Sequence, residues 1–176
     1  MSVGIAHPPR TIREVFDNLP EGTLAQLIEN NLVMSPAPLD VHQKVLVDIH
    51  LSIGVYVKQK EIGQTRVAPY DVYLDDENIF QPDIVVILNE HLNLIKRKGL
   101  YGAPDMVIEI LSSSTAKYDQ EKKKSIYEEY GVKEYWIVEP FTKSVEGYKL
   151  TNGIFTTLSN EEGVIKSELL QSEFRF

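Results

Sequence analysis

At 176 residues, 43% apolar and 25% charged, the chain has the size and composition of one globular domain that can bury a core without staples. The absence of cysteine excludes a disulfide framework, a thiolate zinc site and a cysteine nucleophile. The net charge of −8 argues against a protein that coats nucleic acid non-specifically.

The first ten residues carry neither a basic segment nor a long apolar stretch, and no run approaches the roughly 18 apolar residues of a membrane span. A cytoplasmic protein without a membrane partner is expected. Thr11 to Asn18 predicts a short helix with Thr11 as N-cap and Pro20 beyond its end. Thr23–Ile28 and Leu32–Ser35 predict a hairpin turning at Glu29-Asn30-Asn31, where asparagine tolerates positive φ. From Leu39 to about Glu61, Val45, Ile49, Ile53 and Val57 recur every four residues, which predicts a long helix with His42 on its apolar face and Gly63 ending it.

Thr65 to Leu74 predicts a strand, although Pro69 requires an edge or a bulge. After a turn at Asp75–Asn78, Ile79 to Leu88 predicts the antiparallel return strand, and Asn89 to Pro104 a short helix or loop. Met106 to Leu111 is a third strand. Ser112 to Thr115 supply capping oxygens for a helix over Asp119–Tyr130, which Gly131 stops, and Glu134–Val138 is a fourth strand. A last hairpin, Ser144–Leu150 and Ile154–Leu158, turns at Asn152-Gly153, and the remaining tail has no clear period. The core order is thus α-β-β-β-α-β. It implies an α/β (α+β) domain over residues 1–176, core about 20–150, with a mixed sheet between helices and β-hairpins at either end.

Three residues break the apolar pattern. Asp83 opens the run Ile84-Val85-Val86-Ile87-Leu88, and Glu109 interrupts Met106-Val107-Ile108-Ile110-Leu111. A carboxylate in a covered strand needs a cation, a proton or a donor as partner. Lys123 stands on the apolar stripe of the following helix, with Ile126, Tyr127 and Tyr130 at i+3, i+4 and i+7. Two acids and an inward lysine are the parts of a site for a hard divalent cation, Mg²⁺ or Mn²⁺, with the Ile110 carbonyl as a natural third metal ligand beside Asp83 and Glu109. The catalytic set expected is Asp83, Glu109 and Lys123. His42 is placed to contact phosphate or a carboxylate. Tyr127, Tyr135 and Trp136 are expected in the core, Asp119 as a helix-start acid, and Asp71 as a weaker candidate third acid. Between Leu94 and Lys124 seven basic and four acidic residues leave an excess of +3, which suits a phosphate-bearing substrate as well as a solvated surface. Lys122 and Lys124 belong to this excess.

The segments Asn31–Pro38, His42-Gln43, Gln81-Pro82-Asp83, Gly102–Asp105, Val107–Ser112, Ser114-Thr115, Asp119, Lys123, Tyr127 and Gly131–Val138 resemble those of the Uma-two family of putative restriction endonucleases, within the PD-(D/E)xK nuclease superfamily. The resemblance implies a restriction-endonuclease-like fold, Mg²⁺-dependent phosphodiester hydrolysis, nucleic acid as substrate, and substrate contacts from His42, Gln43, Lys122 and Lys124. It also suggests a homodimer, since this fold commonly pairs and the C-terminal hairpin has no other role. Two departures stand out. The superfamily's acid-x-lysine would place a lysine at Leu111, so the resemblance implies that Lys123 takes its part, and Asn31 stands where the family often has an acid. A nuclease fold that no longer cleaves, acting as an interaction module, is the competing expectation.

Overall fold

The computed structural model describes residues 8–112 and 116–176. Helix α1 (Ile12–Asp17) begins where the Thr11 hydroxyl accepts from the Glu14 N–H at 3.1 Å, as a threonine N-cap should. Strands β1 (Ala25–Ile28) and β2 (Asn31–Met34) form the predicted hairpin, with Glu29 and Asn30 at positive φ. Helix α2 (Asp40–Gln59) buries His42, Val45, Leu46, Ile49, Ile53 and Val57 on one face. It ends before Gly63, which instead opens β3 (Gly63–Val67).

Both long predicted strands are divided, each at a proline. Pro69 has no N–H for a ladder, so the chain leaves β3 and resumes as β4 (Asp71–Tyr73) in a different sheet. Pro82 separates β5 (Ile79–Phe80) from β6 (Ile84–Leu88) in the same way. A short 3₁₀ helix (Asn89–Leu94) leads to β7 (Gly99–Tyr101), a strand the sequence did not reveal. It runs parallel to β4, and a Cβ on Gly99 would stand 2.1 Å from the Asp71 carbonyl oxygen, so only glycine fits there. Then follow β8 (Met106–Ile110), α3 (Ala116–Glu129), β9 (Glu134–Val138), β10 (Ser144–Thr151) and β11 (Ile154–Glu162). The tail resolves into a further hairpin, β12 (Val164–Ser167) and β13 (Ser172–Arg175). The predicted caps Ser113, Ser114 and Thr115 lie outside the described residues.

The larger sheet has the order β11-β10-β9-β8-β6-β3, with β8 and β9 parallel across the α3 crossover and the other pairs antiparallel. The smaller sheet has the order β2-β1-β5-β4-β7. The alternation of strand side chains sorts the core into two layers. Ile84, Val86, Met106, Ile108, Ile110, Trp136 and Val138 meet α2 together with Ile165, Leu170 and Phe174 of the tail. Val85, Ile87, Val107 and Tyr135 on the opposite face meet Ile126 and Tyr127 of α3 and Ile28, Val72, Phe80 and Leu100 of the smaller sheet. The hairpin on which the homodimer expectation rested is the outer end of the larger sheet, β10 pairing with β9.

One buried acid ties the tail to this frame. Glu134 in β9 accepts from the Leu169 N–H at 2.6 Å, the Ser167 hydroxyl at 2.7 Å and the Trp136 indole N–H at 3.1 Å. Burial pushes its carboxyl above the ordinary range, and those three donors oppose the shift without cancelling it.

Candidate functional site

The antiparallel register of β6 and β8 pairs Ile84 with Ile108 and Val85 with Val107. Carried one step further, it sets Asp83 opposite Glu109. Odd-numbered residues of both strands face α3 and the smaller sheet, so both carboxylates turn toward a cleft of about 640 Å³ between the two sheets and the start of α2. His42, Gln43, Asp83, Glu109, Ile110, Lys123 and Tyr135 all line it.

Each acid is held by one oxygen. Asp83 Oδ2 accepts from the Ile110 N–H at 2.7 Å and lies 3.3 Å from His42 Nε2. Glu109 Oε1 accepts from Lys123 Nζ at 2.8 Å and from the Tyr127 hydroxyl at 2.9 Å. No hydrogen bond among the described residues reaches Asp83 Oδ1 or Glu109 Oε2. The side chains of Asp83, Glu109 and Lys123 are 15%, 12% and 11% exposed, so the charges are largely withdrawn from water yet open to the cleft. Lys123 comes inward because α3 turns Lys123, Ile126 and Tyr127 to the same side, where its Nζ also stands 5.7 Å above the Phe80 ring.

Burial pushes the Glu109 carboxyl above its usual range. The ammonium of Lys123 opposes this, and the charge of Asp83 adds to it. For His42, burial works to lower the pKa, but the hydrogen bond and charge of Asp83, with help from the Ile110 carbonyl, outweigh it and raise it. His42 Nε2 lies 3.1 Å from the Ile110 carbonyl oxygen. Both neighbours of Nε2 are acceptors, so that nitrogen carries a proton. Nδ1 is buried with no hydrogen-bond partner among the described residues.

Lys122 and Lys124 are not brought to the cleft. Lys122 Nζ pairs with Glu29 at 2.5 Å in the β1–β2 turn, and Lys124 Nζ stands 3.5 Å over the Tyr148 ring. Successive residues on a helix point about 100° apart, so the inward aim of Lys123 sends its neighbours elsewhere. Asp71 accepts from Gln81 Nε2 at 2.8 Å and from Tyr73, bracing the Gln81-Pro82 bend. Asn31 closes its own turn on the carbonyls of Ile28 and Glu29. The Asp119 side chain lies outside the described residues.

Two tyrosines expected only in the core carry polar ends at the site. The Tyr127 hydroxyl bonds Glu109, and the buried Tyr135 hydroxyl has no partner among the described residues. Burial raises both phenols well above their ordinary range, so both stay protonated donors. The i+4 spacing of Tyr127 from Lys123 was the available signal.

The donor set fits a hard divalent cation. It offers two carboxylates with an unengaged oxygen each, and the Ile110 carbonyl, which keeps a second lone pair beside its bond to His42. A second grouping, Glu90, His91 and Asp105, also lies close enough to share an ion. There Lys133 Nζ stands 2.5 Å from Glu90 and 2.9 Å from Asp105. Buried Asp105 also takes the Leu88 N–H and His91 Nδ1, which makes the group an ion-pair node that fastens β6 to β8.

A crystal structure of a putative nuclease belonging to DUF820 from Anabaena variabilis ATCC 29413 superposes with a TM-score of 0.75 at 18% sequence identity, covering 93% of this chain and 92% of that one. At that identity the likeness speaks for the fold alone: the two chains share one mixed-sheet architecture. Among curated proteins none matches this chain. The family model described as putative restriction endonuclease, Uma2, matches residues 13–176, and the chain belongs to that family.

Proposed function

We propose that this protein is a metal-dependent nuclease that hydrolyses phosphodiester bonds of nucleic acid. The observation that carries the proposal is that Asp83, just ahead of β6, and Glu109 of the adjacent β8 line one cleft, with a nearly buried lysine bonded to the second acid. Asp83, Glu109 and the Ile110 carbonyl would hold Mg²⁺ or Mn²⁺. When bound, such a cation polarises a phosphoryl oxygen and makes a water acidic enough to attack phosphorus.

The chain's own residues supply the rest. Lys123 places a positive charge beside Glu109, where it stabilises the extra negative charge of the transition state. Tyr127 fixes the same carboxylate oxygen, so the free oxygen of Glu109 points into the cleft with little freedom. His42 grips Asp83 and the Ile110 carbonyl together and acts as a positioning residue. Gln43, exposed next to it, is the substrate contact on the α2 side. A homodimer belongs to the proposal too. Its support is the exposed ridge Val47, Leu51 and Val55 on α2, and light scattering showing a monomer mass would remove it.

The test is a cleavage screen on single- and double-stranded DNA and RNA with Mg²⁺ and with Mn²⁺, run beside Asp83→Asn and Lys123→Met. Metal-dependent cleavage lost in both variants supports the proposal. Binding of nucleic acid without cleavage under any condition would point to the interaction module instead.

A further inference from the structure

The floor and the mouth of the cleft differ in chemistry. The floor groups His42, Asp83, Glu109 and Lys123 are nearly buried. The mouth is a collar running from Met34 to Leu39, exposed throughout, with Met34 58% and Leu39 55% exposed and Ser35, Pro36, Ala37 and Pro38 between them. A stretch of six exposed residues, five of them apolar, beside a candidate site marks a surface that something covers.

The charges narrow what covers it. Among the described residues lining the cleft, Lys123 is the one lysine or arginine, and it is bonded to Glu109. Lys122 and Lys124 are directed to Glu29 and Tyr148. A duplex presents phosphates outward and keeps its base faces stacked inside. Proteins that grip it neutralise on the order of 6–10 phosphates with lysine and arginine. A collar of methionine, proline and leucine would strip water from those phosphates and offer nothing in return. An unpaired nucleotide presents the opposite surface: a flat, weakly polar base face that lies well on apolar side chains. The cleft volume of about 640 Å³ falls within the roughly 300–1,000 Å³ of small-molecule sites, and the Gln43 amide at its edge offers a donor and an acceptor to a base edge.

We propose that the cleft takes unpaired nucleotides of a single-stranded segment, bases on the Met34–Leu39 collar and phosphodiester on the floor, and that intact duplex is a poor substrate. The proposal rests on the nuclease function assigned above.

The experiment uses the full chain with one fluorescent oligonucleotide of about 20 nucleotides. It is presented single-stranded, as a blunt duplex, and as a duplex with a central bulge, in Mg²⁺ and in Mn²⁺. Cleavage is followed kinetically and binding by anisotropy. The single strand and the bulge should be cleaved about 10²-fold faster than the duplex. Single-strand affinity should fall with salt at a log–log slope near that of about one neutralised phosphate. The double variant Met34→Ser/Leu39→Ser, on exposed positions, should raise KM and Kd for the single strand about tenfold with kcat unchanged, consistent with the contribution of one base face. Equal handling of duplex and single strand, or an unchanged KM and Kd in the variant, overturns the proposal. Selective binding of the single strand without cleavage keeps it and sinks the nuclease function, and no binding of any oligonucleotide overturns both.

Discussion

Lys123→Met tests the electrostatics of the site most directly. The ammonium and the Glu109 carboxylate are 2.8 Å apart and each is close to nine-tenths buried. At an effective dielectric of about 20 their attraction is roughly 6 kcal/mol, much of it offset by the desolvation of both groups. Removing the lysine leaves the desolvation of Glu109 uncompensated, for which about 3–5 kcal/mol is typical. Protonation limits the loss. The Glu109 carboxyl already sits above its ordinary range because of burial, with Lys123 pulling it down, so the variant's carboxyl rises further. A group with a raised folded pKa contributes stability below the unfolded carboxylate range that is lost as pH rises through the folded value. Lys123→Met should therefore be close to wild type at about pH 4–5 and lose stability progressively toward about pH 8. Without metal, its melting temperature there should fall by about 10 °C. Added Mg²⁺ should restore part of that by supplying the missing positive charge, and Lys123→Met/Glu109→Gln should recover most of it. Thermal melts and urea titrations at several pH values, with EDTA and with Mg²⁺, read all of these. A variant that matches wild type from about pH 5 to 8, or that gains stability with pH, would refute the account.

Tyr127→Phe removes a donor that lowers the Glu109 pKa. The acidic limb of the cleavage pH profile should move upward, and the fold should lose about 1.5–3 kcal/mol, the usual range for a hydrogen bond to a charged group. Asp83→Asn takes away the charge that holds the His42 pKa up. NMR titration of the ring should show a lower pKa, and calorimetry a Mn²⁺ affinity reduced by at least tenfold. Glu134, raised by burial, costs stability once ionised. The stability of wild type relative to Glu134→Gln should therefore fall as pH rises past the carboxylate range, and denaturation midpoints that diverge in the other direction would contradict the assignment.

The elements governed by local period were legible in the sequence. The four-residue recurrence of Val45, Ile49, Ile53 and Val57 became the buried face of α2, and the acids interrupting two aliphatic runs became neighbours in register. Lys123 on the apolar stripe of its helix is at the site, as its spacing with Ile126 and Tyr127 indicated. What the sequence withheld were choices of partner. The prolines at 69 and 82 announced interruptions, but which sheet the chain would rejoin depends on residues far away in sequence. Strand β7 has three residues, too few to show a period. Periodicity also placed the Tyr127 and Tyr135 rings in the core without revealing that the Tyr127 hydroxyl bonds Glu109 or that Tyr135 lines the cleft. The basic excess around the helix suggested three site lysines, where the geometry of a single turn admits one.

The two prolines that divide the strands have a wider consequence. The acids stand in β8 and just ahead of β6 in the larger sheet, while Gln26, Ile28, Val33 and the collar belong to the smaller sheet and the loop that follows it. The β1–β2 hairpin is joined to the rest of its sheet through the pairing of Leu27 with Ile79. The collar proposed to meet the substrate and the acids proposed to perform the chemistry are thus carried on separate sheets. The exposed collar residues Met34 to Leu39 lie outside the packed core, so exchanging them should leave the register that sets Asp83 against Glu109 undisturbed. A protein built this way can change what it acts on while keeping how it acts.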